Sequence, residues 1–434
     1  MTELFLHHVW QYRVFDYTCM KTTDGQTIEV QSFGTYNTNE GPDFLHAKIR
    51  IGDTLWVGDV EIHVHASDWN KHKHFQQKEY NSVILHVVAY YDKDVCSQKQ
   101  SVIPTFVLPI TPQMLRSYEL ISACGIAKAC SAIFATINTL QSQMWFDRLV
   151  IERFETKADK VLCDYEQCNA SWEITCYKTI ARALGNPLNS QPFEMLADSL
   201  DLKIISKHAH SIFQLEALLF GQAGFLNSKQ NCEYTSQLQN EYEFLRKKYN
   251  LNSSLSEHIW KFSKMRPYGF PTIRIAQMCQ LIHSSRSLTS HILECDSLER
   301  LVRLFSFALH NFWDTHYTLR DTSPPIQKHI GIHTVYTIII NAIIPFLFAY
   351  GSRMCMQEYK ERALFFLEHI PSEHNTIIQE WEGLEIQSHS AYRSQALIQL
   401  HNEYCKQKRC LQCVFGHVYF THILKKSETM CKIV

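Results

Sequence analysis

Two acids and two histidines alternate with apolar residues in the segment GDVEIHVH, residues 58–65. Strict alternation is typical of a β-strand with one apolar and one polar face. The polar face carries Asp59, Glu61, His63 and His65. Carboxylates and imidazoles are the side chains that hold metal ions and move protons. The segment is therefore a candidate catalytic or metal-binding strand.

A carboxylate on the preceding strand completes a set of oxygen ligands. Asp43 opens the segment DFLHAKIRI and can converge with Glu61 on Mg²⁺ or Mn²⁺, because hard divalent cations take one or two carboxylates plus waters. Such an ion would lower the pKa of a bound water and polarise a phosphoryl oxygen. We expect Asp43 and Glu61 to hold the ion and His63 to assist. Asp59 would be an outer ligand or the ligand of a second ion.

These residues need a sheet to position them, and the first 115 residues predict one. A Gly52–Asp53 turn is typical of a tight hairpin and joins the two strands that carry the acids. The turn predicts that His46 lies opposite Asp59 and Phe44 opposite Glu61. The expected elements are a helix at 3–17, strands at 27–33, 44–51 and 54–65, a helix or loop at 67–80, and strands at 82–91 and 101–110.

After residue 115 the apolar period becomes 3.6, which is typical of amphipathic helices. The sequence predicts an α+β protein of two domains: a mixed-sheet αβββ(α)β domain at 1–115 and an all-helical domain at 116–434. One expected helix covers 298–314. The apolar run at 334–350 contains Asn341 and Pro345 and is shorter than the roughly 20 residues of a membrane span, so we expect a buried helix.

Pro42–Asp43 opens the second of the long strands, and Glu61–Ile62–His63 lies on the third. These motifs, and the order of helix, three strands, helix or loop, and strand, resemble the PD-(D/E)XK phosphodiesterase superfamily, which includes many restriction-type and repair nucleases. The resemblance implies that the aspartate and the glutamate are metal ligands. Histidine takes the place of the superfamily's lysine, and it is a weaker cation because its unperturbed pKa is about 6.5.

An upstream acid often belongs to such sites, and Glu3 and Glu29 are the candidates here. The segments GPDF, W-x-GDVEIH, SDW, ILHVV, EALLFGQAG, RP-x-x-FP-x-RIAQ and YC-x4-C-x-x-C also resemble those of an uncharacterised bacterial family along the whole chain. That likeness implies no activity.

An imidazole-rich stretch supports an alternative chemistry. His63, His65, His72 and His74 lie close in sequence, with His86 on a later strand. Imidazoles suit zinc, iron, nickel or copper, so a histidine-bound transition-metal hydrolase or oxygenase is a second candidate. The residues at 72 and 74 lie among lysines and are expected to be solvated, and the one at 86 is expected to be a core histidine.

A second metal site is predicted near the C-terminus, in EYCKQKRCLQCVFGH. Cys405, Cys410, Cys413 and His417 have spacings that suit Zn²⁺ or, with another thiolate, an iron–sulfur cluster. The alternative fourth ligands are Cys431, Cys124 and Cys130. The competing interpretation is a set of free cysteines at a helix end.

Composition limits the partners. Lys plus Arg number 42 and Asp plus Glu 43, so any basic surface for nucleic acid must be local. The 15 scattered cysteines indicate reduced thiols, and the N-terminus lacks signal-peptide features, so we expect a cytoplasmic protein with no membrane partner. The sequence predicts a metal-dependent nuclease. A non-catalytic module that binds nucleic acid or protein on a degenerate nuclease fold is the alternative.

Overall fold

The computed structural model describes residues 1–13, 15–37, 40–123, 134, 137–185, 187–227, 232–285 and 287–418. The chain divides into two compact units, whereas the sequence placed a division at residue 115. The first unit, called the sheet unit, comprises residues 1–142 and 402–434, and the second, the helical unit, comprises 143–401. The predicted α+β class is confirmed, because a mixed sheet is followed by a large helical region.

A seven-stranded mixed sheet forms the centre of the sheet unit, in the order β1-β2-β4-β5-β6-β7 with β3 paired to β4. Pairing is antiparallel from β1 to β5, and β5–β6 and β6–β7 are parallel. The strands are β1 Met20–Lys21, β2 Thr27–Ser32, β3 Thr35–Tyr36, β4 Phe44–Ile51, β5 Thr54–His65, β6 Val83–Tyr90 and β7 Thr105–Val107. The predicted bounds of β4 and β5 are confirmed.

Two predicted elements are shorter in the structure. Helix α1, Glu3–Gln11, ends well before residue 17, because Arg13 adopts a φ of 54° that no α-helix tolerates. Strand β7 covers three of the ten residues expected at 101–110. Pro104 and Pro109 flank β7, and proline cannot donate a hydrogen bond to a neighbouring strand.

The sheet is covered on both faces around the second half of β5. Helix α1 packs its buried residues, among them Phe5 and Trp10, into the core that contains Val60 and Ile62. The opposite face is covered by the connection from β5 to β6. Because these strands are parallel, the connection must run back over one face of the sheet before β6 begins. This crossover, residues 66–82, contains helix α2, Asp68–Lys71, and the 3₁₀ turns His74–Gln76 and Lys78–Ser82.

The predicted hairpin is confirmed near its turn and wrong further along. Ile51 pairs with Thr54, as expected, but Phe44 pairs with Val60 and not with Glu61. A β-bulge adds one residue to β4 at His46, which has a φ of 60°. Asp59 lies opposite this bulge, and its Oδ1 accepts a hydrogen bond from His46 N. The bulge lets Phe44 and Ala47 both face the core.

The remaining elements are helical. Helix α3, Pro112–Ala123, belongs to the sheet unit. The later α-helices are Thr139–Gln167, Trp172–Leu184, Ser190–Ser199, Leu202–His208, Ile212–Gln222, Glu233–Tyr249, Pro271–Ser284, Leu288–Glu294, Leu298–Arg303, Ile332–Ile338, Ile344–Met354, Gln357–His369, Thr376–Glu382 and Ala391–Gln399. The expected helix at 298–314 is wrong beyond Arg303, because Leu309 N donates instead to Lys328 O in a short bridge.

One helix of the described residues, Ile332–Met354, is long and apolar enough to cross a membrane. Of its most apolar 18-residue stretch, 67% is buried inside the protein. This burial agrees with the core helix that the sequence predicts. A π turn, Ile339–Ile343, interrupts it just before Pro345. Proline cannot donate the usual hydrogen bond, and a widened turn accommodates its ring.

A buried carboxylic acid lies inside the helical unit. Glu216 is 1% exposed and accepts hydrogen bonds from Tyr234 Oη at 2.5 Å and Trp313 Nε1 at 2.7 Å. Burial raises its pKa to about 7, although the two hydrogen bonds oppose the shift. The folded protein therefore binds a proton here that the unfolded chain releases at lower pH.

We predict that the free energy of unfolding falls as the pH rises from about 4.5 to 7, by about 3 kcal/mol from this group alone. Glu216→Gln should remove that part of the pH dependence, because an amide does not ionise. Urea denaturation of both proteins across this pH range measures it. Glu361→Gln, at an exposed site, is the matched control and should leave the profile unchanged. Parallel pH profiles for wild type and Glu216→Gln would contradict the prediction.

Candidate functional site

Two carboxylates link β4 to β5 where their backbones separate. Asp43 Oδ2 accepts a hydrogen bond from Ile62 N at 2.8 Å, and Glu61 Oε2 accepts one from Asp43 N at 3.1 Å. We call Asp43 and Glu61 the carboxylate pair. Pro42, which has no N–H, precedes the pair, so the backbone ladder cannot continue there. The structure thus brings the two predicted magnesium ligands together and fixes one oxygen of each.

Helix α1 adds two groups beside the carboxylate pair. His7 Nε2 lies 3.1 Å from Asp43 Oδ2, and the other ring nitrogen lies 3.4 Å from Tyr36 Oη. Glu3 is one helical turn earlier, and burial raises the pKa of its carboxyl against the opposing effect of nearby His72. The other candidate upstream acid, Glu29, is 72% exposed and pairs with an arginine on β4.

Two imidazoles lie beside the buried end of the Glu61 side chain, and a third imidazole lies close to both of them. One ring nitrogen from each of His63, His72 and His74 lies within 4.8 Å of the other two. Glu61 Oε1 lies 3.3 Å from His74 Nε2 and 3.6 Å from His63 Nε2. We call these four residues the histidine cluster. The strand supplies two of its members and the crossover supplies the other two.

The expectation that both crossover histidines are solvated is wrong for His74, which is 7% exposed. Its Nδ1 donates to Gln77 Oε1 at 3.1 Å, and the ring of Tyr80 stacks on it with centroids 3.8 Å apart. His72 is exposed, but its Nδ1 lies 3.2 Å from His63 Nε2. The crossover therefore turns this part of the chain towards the sheet.

His86 lies behind the cluster on β6. It is fully buried, as expected for a core histidine, and its Nε2 shares a hydrogen bond of 2.8 Å with His63 Nδ1. Trp69 packs against both His86 and His74, with ring centroids 5.5 Å and 5.4 Å apart. These contacts fix the ring orientations and keep water from the back of the cluster.

Burial dominates the electrostatics of the cluster. It raises the pKa of Glu61 to about 7, and the neighbouring Asp43 charge adds to the shift while a hydrogen bond from His74 opposes it. Burial lowers the pKa of His63 to about 2 and that of His86 to about 3, with nearby imidazoles adding to both shifts. Both rings are therefore neutral at neutral pH, which is the form that binds metal ions.

Asp59 is buried and has structural contacts at both oxygens. Oδ1 accepts from His46 N at 2.9 Å, and Oδ2 accepts from Ser82 Oγ at 2.6 Å. The carboxylate therefore ties the bulge of β4 to the end of the crossover. Its role as a metal ligand stays a prediction. His65 is exposed and stacks on Tyr90, with centroids 5.2 Å apart.

The predicted cysteine site lies in the sheet unit, in the segment that follows the helical unit. Cys405 ends the π turn Leu400–Cys405, Cys410 begins the 3₁₀ turn Cys410–Gln412, and Cys413 follows it. His417 N donates to Cys413 O at 2.8 Å. The fourth-ligand candidates Cys124, Cys130 and Cys431 lie outside the described residues. The zinc or iron–sulfur site stays a prediction.

The fold and the cluster together define an α+β protein with a carboxylate and histidine centre on a mixed sheet. The chain belongs to the family DUF2851, described as a protein of unknown function, whose model matches residues 3–376. The expected membership in an uncharacterised family is thereby confirmed. The matched range contains the carboxylate pair and the histidine cluster and ends before the cysteine segment. No curated protein and no solved structure matches the chain.

We predict that Asp59→Ala lowers the free energy of unfolding of the sheet unit by about 2 kcal/mol, because the His46 N–H and the Ser82 hydroxyl both lose their acceptor. Thermal and urea denaturation of the variant would measure the loss. Glu79→Ala removes an exposed carboxylate from the same crossover and is the control. Equal stabilities of Asp59→Ala and the control would show that the bulge does not depend on this carboxylate.

Proposed function

We propose that the carboxylate pair is the centre of a metal-dependent phosphodiesterase that cleaves nucleic acid. The convergence of the partly buried Asp43 and the buried Glu61 from two strands, with imidazoles beside both, carries the proposal. Like charges this close are costly to bury unless a cation or proton offsets them. A divalent cation does so and also supplies hydrolytic chemistry, because it lowers the pKa of a bound water and polarises a phosphoryl oxygen.

The residues of the site would contribute by holding their side chains in fixed positions around the ion and the substrate. The hydrogen bonds to Ile62 N and Asp43 N hold the two carboxylates in place, so they need not reorganise when charge develops on the phosphate. His63 does not supply the positive charge of a lysine, because its ring is neutral. It would instead serve as a nitrogen ligand or orient a water, with its direction set by His86.

A substrate could approach along the uncovered half of the same sheet face. Leu55 and Val57 precede Asp59 and Glu61 on that face of β5 and are 44% and 63% exposed. Lys48, which pairs with Val57, is also exposed on β4. A lysine on this open face can pair with a phosphate of a nucleic-acid backbone. This stretch supports nucleic acid as the substrate class despite the neutral total charge.

We predict that purified protein with Mn²⁺ or Mg²⁺ cleaves labelled single- or double-stranded DNA or RNA. Asp43→Asn and Glu61→Gln should each reduce the rate by at least about 100-fold, because both remove a charged ligand of the ion. Each amide retains an oxygen that can accept the backbone hydrogen bond of the original carboxylate. Gel assays of all four substrates give the rates.

Circular dichroism and the melting temperature of both variants show whether the sheet unit remains folded. Asp53→Asn, in the hairpin turn, is the matched control and should cleave at the wild-type rate. Absence of cleavage of every substrate by the wild-type protein, or cleavage that survives both variants, would replace the proposal with a non-catalytic interaction module or another metal chemistry.

We predict that Lys48→Gln weakens nucleic-acid binding and reduces the slope of log affinity against log salt concentration by about 1, because one phosphate contact is lost. Fluorescence anisotropy with a labelled oligonucleotide at several salt concentrations measures the slope. Lys99→Gln, an exposed lysine in the loop before β7, is the control. An unchanged slope in Lys48→Gln would mean that the substrate takes another path to the site.

A further inference from the structure

The histidine cluster has more nitrogen donors than a magnesium site needs. Magnesium prefers oxygen ligands and retains several waters. Here three imidazoles lie close to one another, two of them lie beside one carboxylate oxygen, and the side chains of His63 and His74 are almost completely buried. We propose that His63, His72, His74 and Glu61 bind one transition-metal ion of the zinc class, Zn²⁺, Mn²⁺ or Fe²⁺. The ion's hydrolytic role rests on the proposed function, but its binding does not.

The distances between donor atoms fit a single ion. Zinc lies about 2.0–2.2 Å from histidine nitrogens and carboxylate oxygens, so neighbouring ligand atoms of a tetrahedral site are about 3.3 Å apart. His63 Nε2 lies 3.2 Å from His72 Nδ1, and Glu61 Oε1 lies 3.3 Å from His74 Nε2. The distance from Glu61 Oε1 to His63 Nε2 is 3.6 Å. Three of the six distances between the four donor atoms are thus close to the spacing of a coordination shell.

The hydrogen bonds of His74 leave a nitrogen for the ion. Its Nδ1 donates to Gln77 Oε1, so in the neutral ring Nε2 carries a lone pair. Nε2 is buried and lies 3.3 Å from Glu61 Oε1. A proton on Nε2 would be shared with this carboxylate oxygen, and a metal ion that replaces the proton would take the same two atoms as ligands. A metal ion would satisfy both atoms at once.

His86 is a positioning residue for this site. Its hydrogen bond to His63 Nδ1 leaves Nε2 of His63 for the ion and fixes the plane of the ring. Histidine ligands commonly need such a partner on the second nitrogen, which sets the tautomer and the basicity of the ligand. Trp69 and Tyr80 enclose the back of the cluster and leave the exposed side of His72 as the route of entry.

The test measures binding without any activity assay. Protein purified without chelator is analysed for metal content, then stripped with a chelator and titrated with Zn²⁺, Co²⁺ and Mg²⁺ by calorimetry. We expect one equivalent of Zn²⁺ or Co²⁺ to bind and Mg²⁺ to bind much more weakly. The visible absorption of the Co²⁺ form should be that of a four- or five-coordinate ion with nitrogen ligands, unlike aqueous Co²⁺.

Variants locate the ion. His72→Ala removes a ligand at an exposed site, where folding is not at risk, and His74→Ala removes a buried one. Each should weaken Co²⁺ binding by at least about 100-fold, since loss of an outer partner alone costs 10–100-fold. His65→Ala, two residues from His63 but exposed, is the control and should bind normally. His86→Phe should weaken binding and alter the spectrum while leaving one equivalent bound.

Binding that is absent in the wild type, or unchanged in both His72→Ala and His74→Ala, would overturn the inference. The proposed function can fail separately. Cleavage with Mg²⁺ but no Co²⁺ or Zn²⁺ binding would overturn the transition-metal site and leave the nuclease. A tightly bound ion lost in the two variants, without cleavage of any substrate, would establish the metal site and leave the nuclease proposal unsupported.

Discussion

Two carboxylates replace the backbone hydrogen bonds between β4 and β5 where the strands separate, and the sheet depends on this replacement. Without them, Asp43 N and Ile62 N would lose their acceptors in the interior of the unit. The same hydrogen bonds hold the carboxylate pair next to the histidine cluster. The same atoms therefore serve both the structure and the proposed chemistry, and the charge they carry is offset by the two backbone N–H donors.

Local pattern was sufficient to predict the elements but not their exact pairing. Alternation predicted the bounds of β4 and β5, and the Gly52–Asp53 turn predicted the pairing near it. The bulge at His46 was not predictable, because one residue with positive φ leaves no mark in the sequence of polar and apolar residues. It moves the partner of Phe44 from Glu61 to Val60, and the Asp59 carboxylate holds the bulge by accepting a hydrogen bond from His46 N.

Part of the histidine cluster was not predicted from the sequence, because the local pattern does not show whether β5 and β6 pair in parallel. Parallel pairing is what places the crossover over the sheet. The lysines around His72 and His74 suggested a solvated loop. Strand β6 is buried on both faces over Val83–Val88, which is typical of a central parallel strand. The continuous apolar run VILHVV was therefore the available signal that the preceding segment crosses the sheet. Likewise, the apolar spacing at 298–314 suggested a helix, although Phe305 and Leu309 are buried in an irregular segment.

The crossover has little regular structure of its own, since its α-helix, α2, has four residues and the rest consists of short 3₁₀ turns and loop. All four ligands proposed for the histidine cluster come from residues 61–74, on the strand and on this connection. An ion bound there would crosslink the two, and because it binds only the folded arrangement, its binding free energy would add to the stability of the unit. The concentration of free metal would then determine how much of the protein has an ordered cover over the sheet.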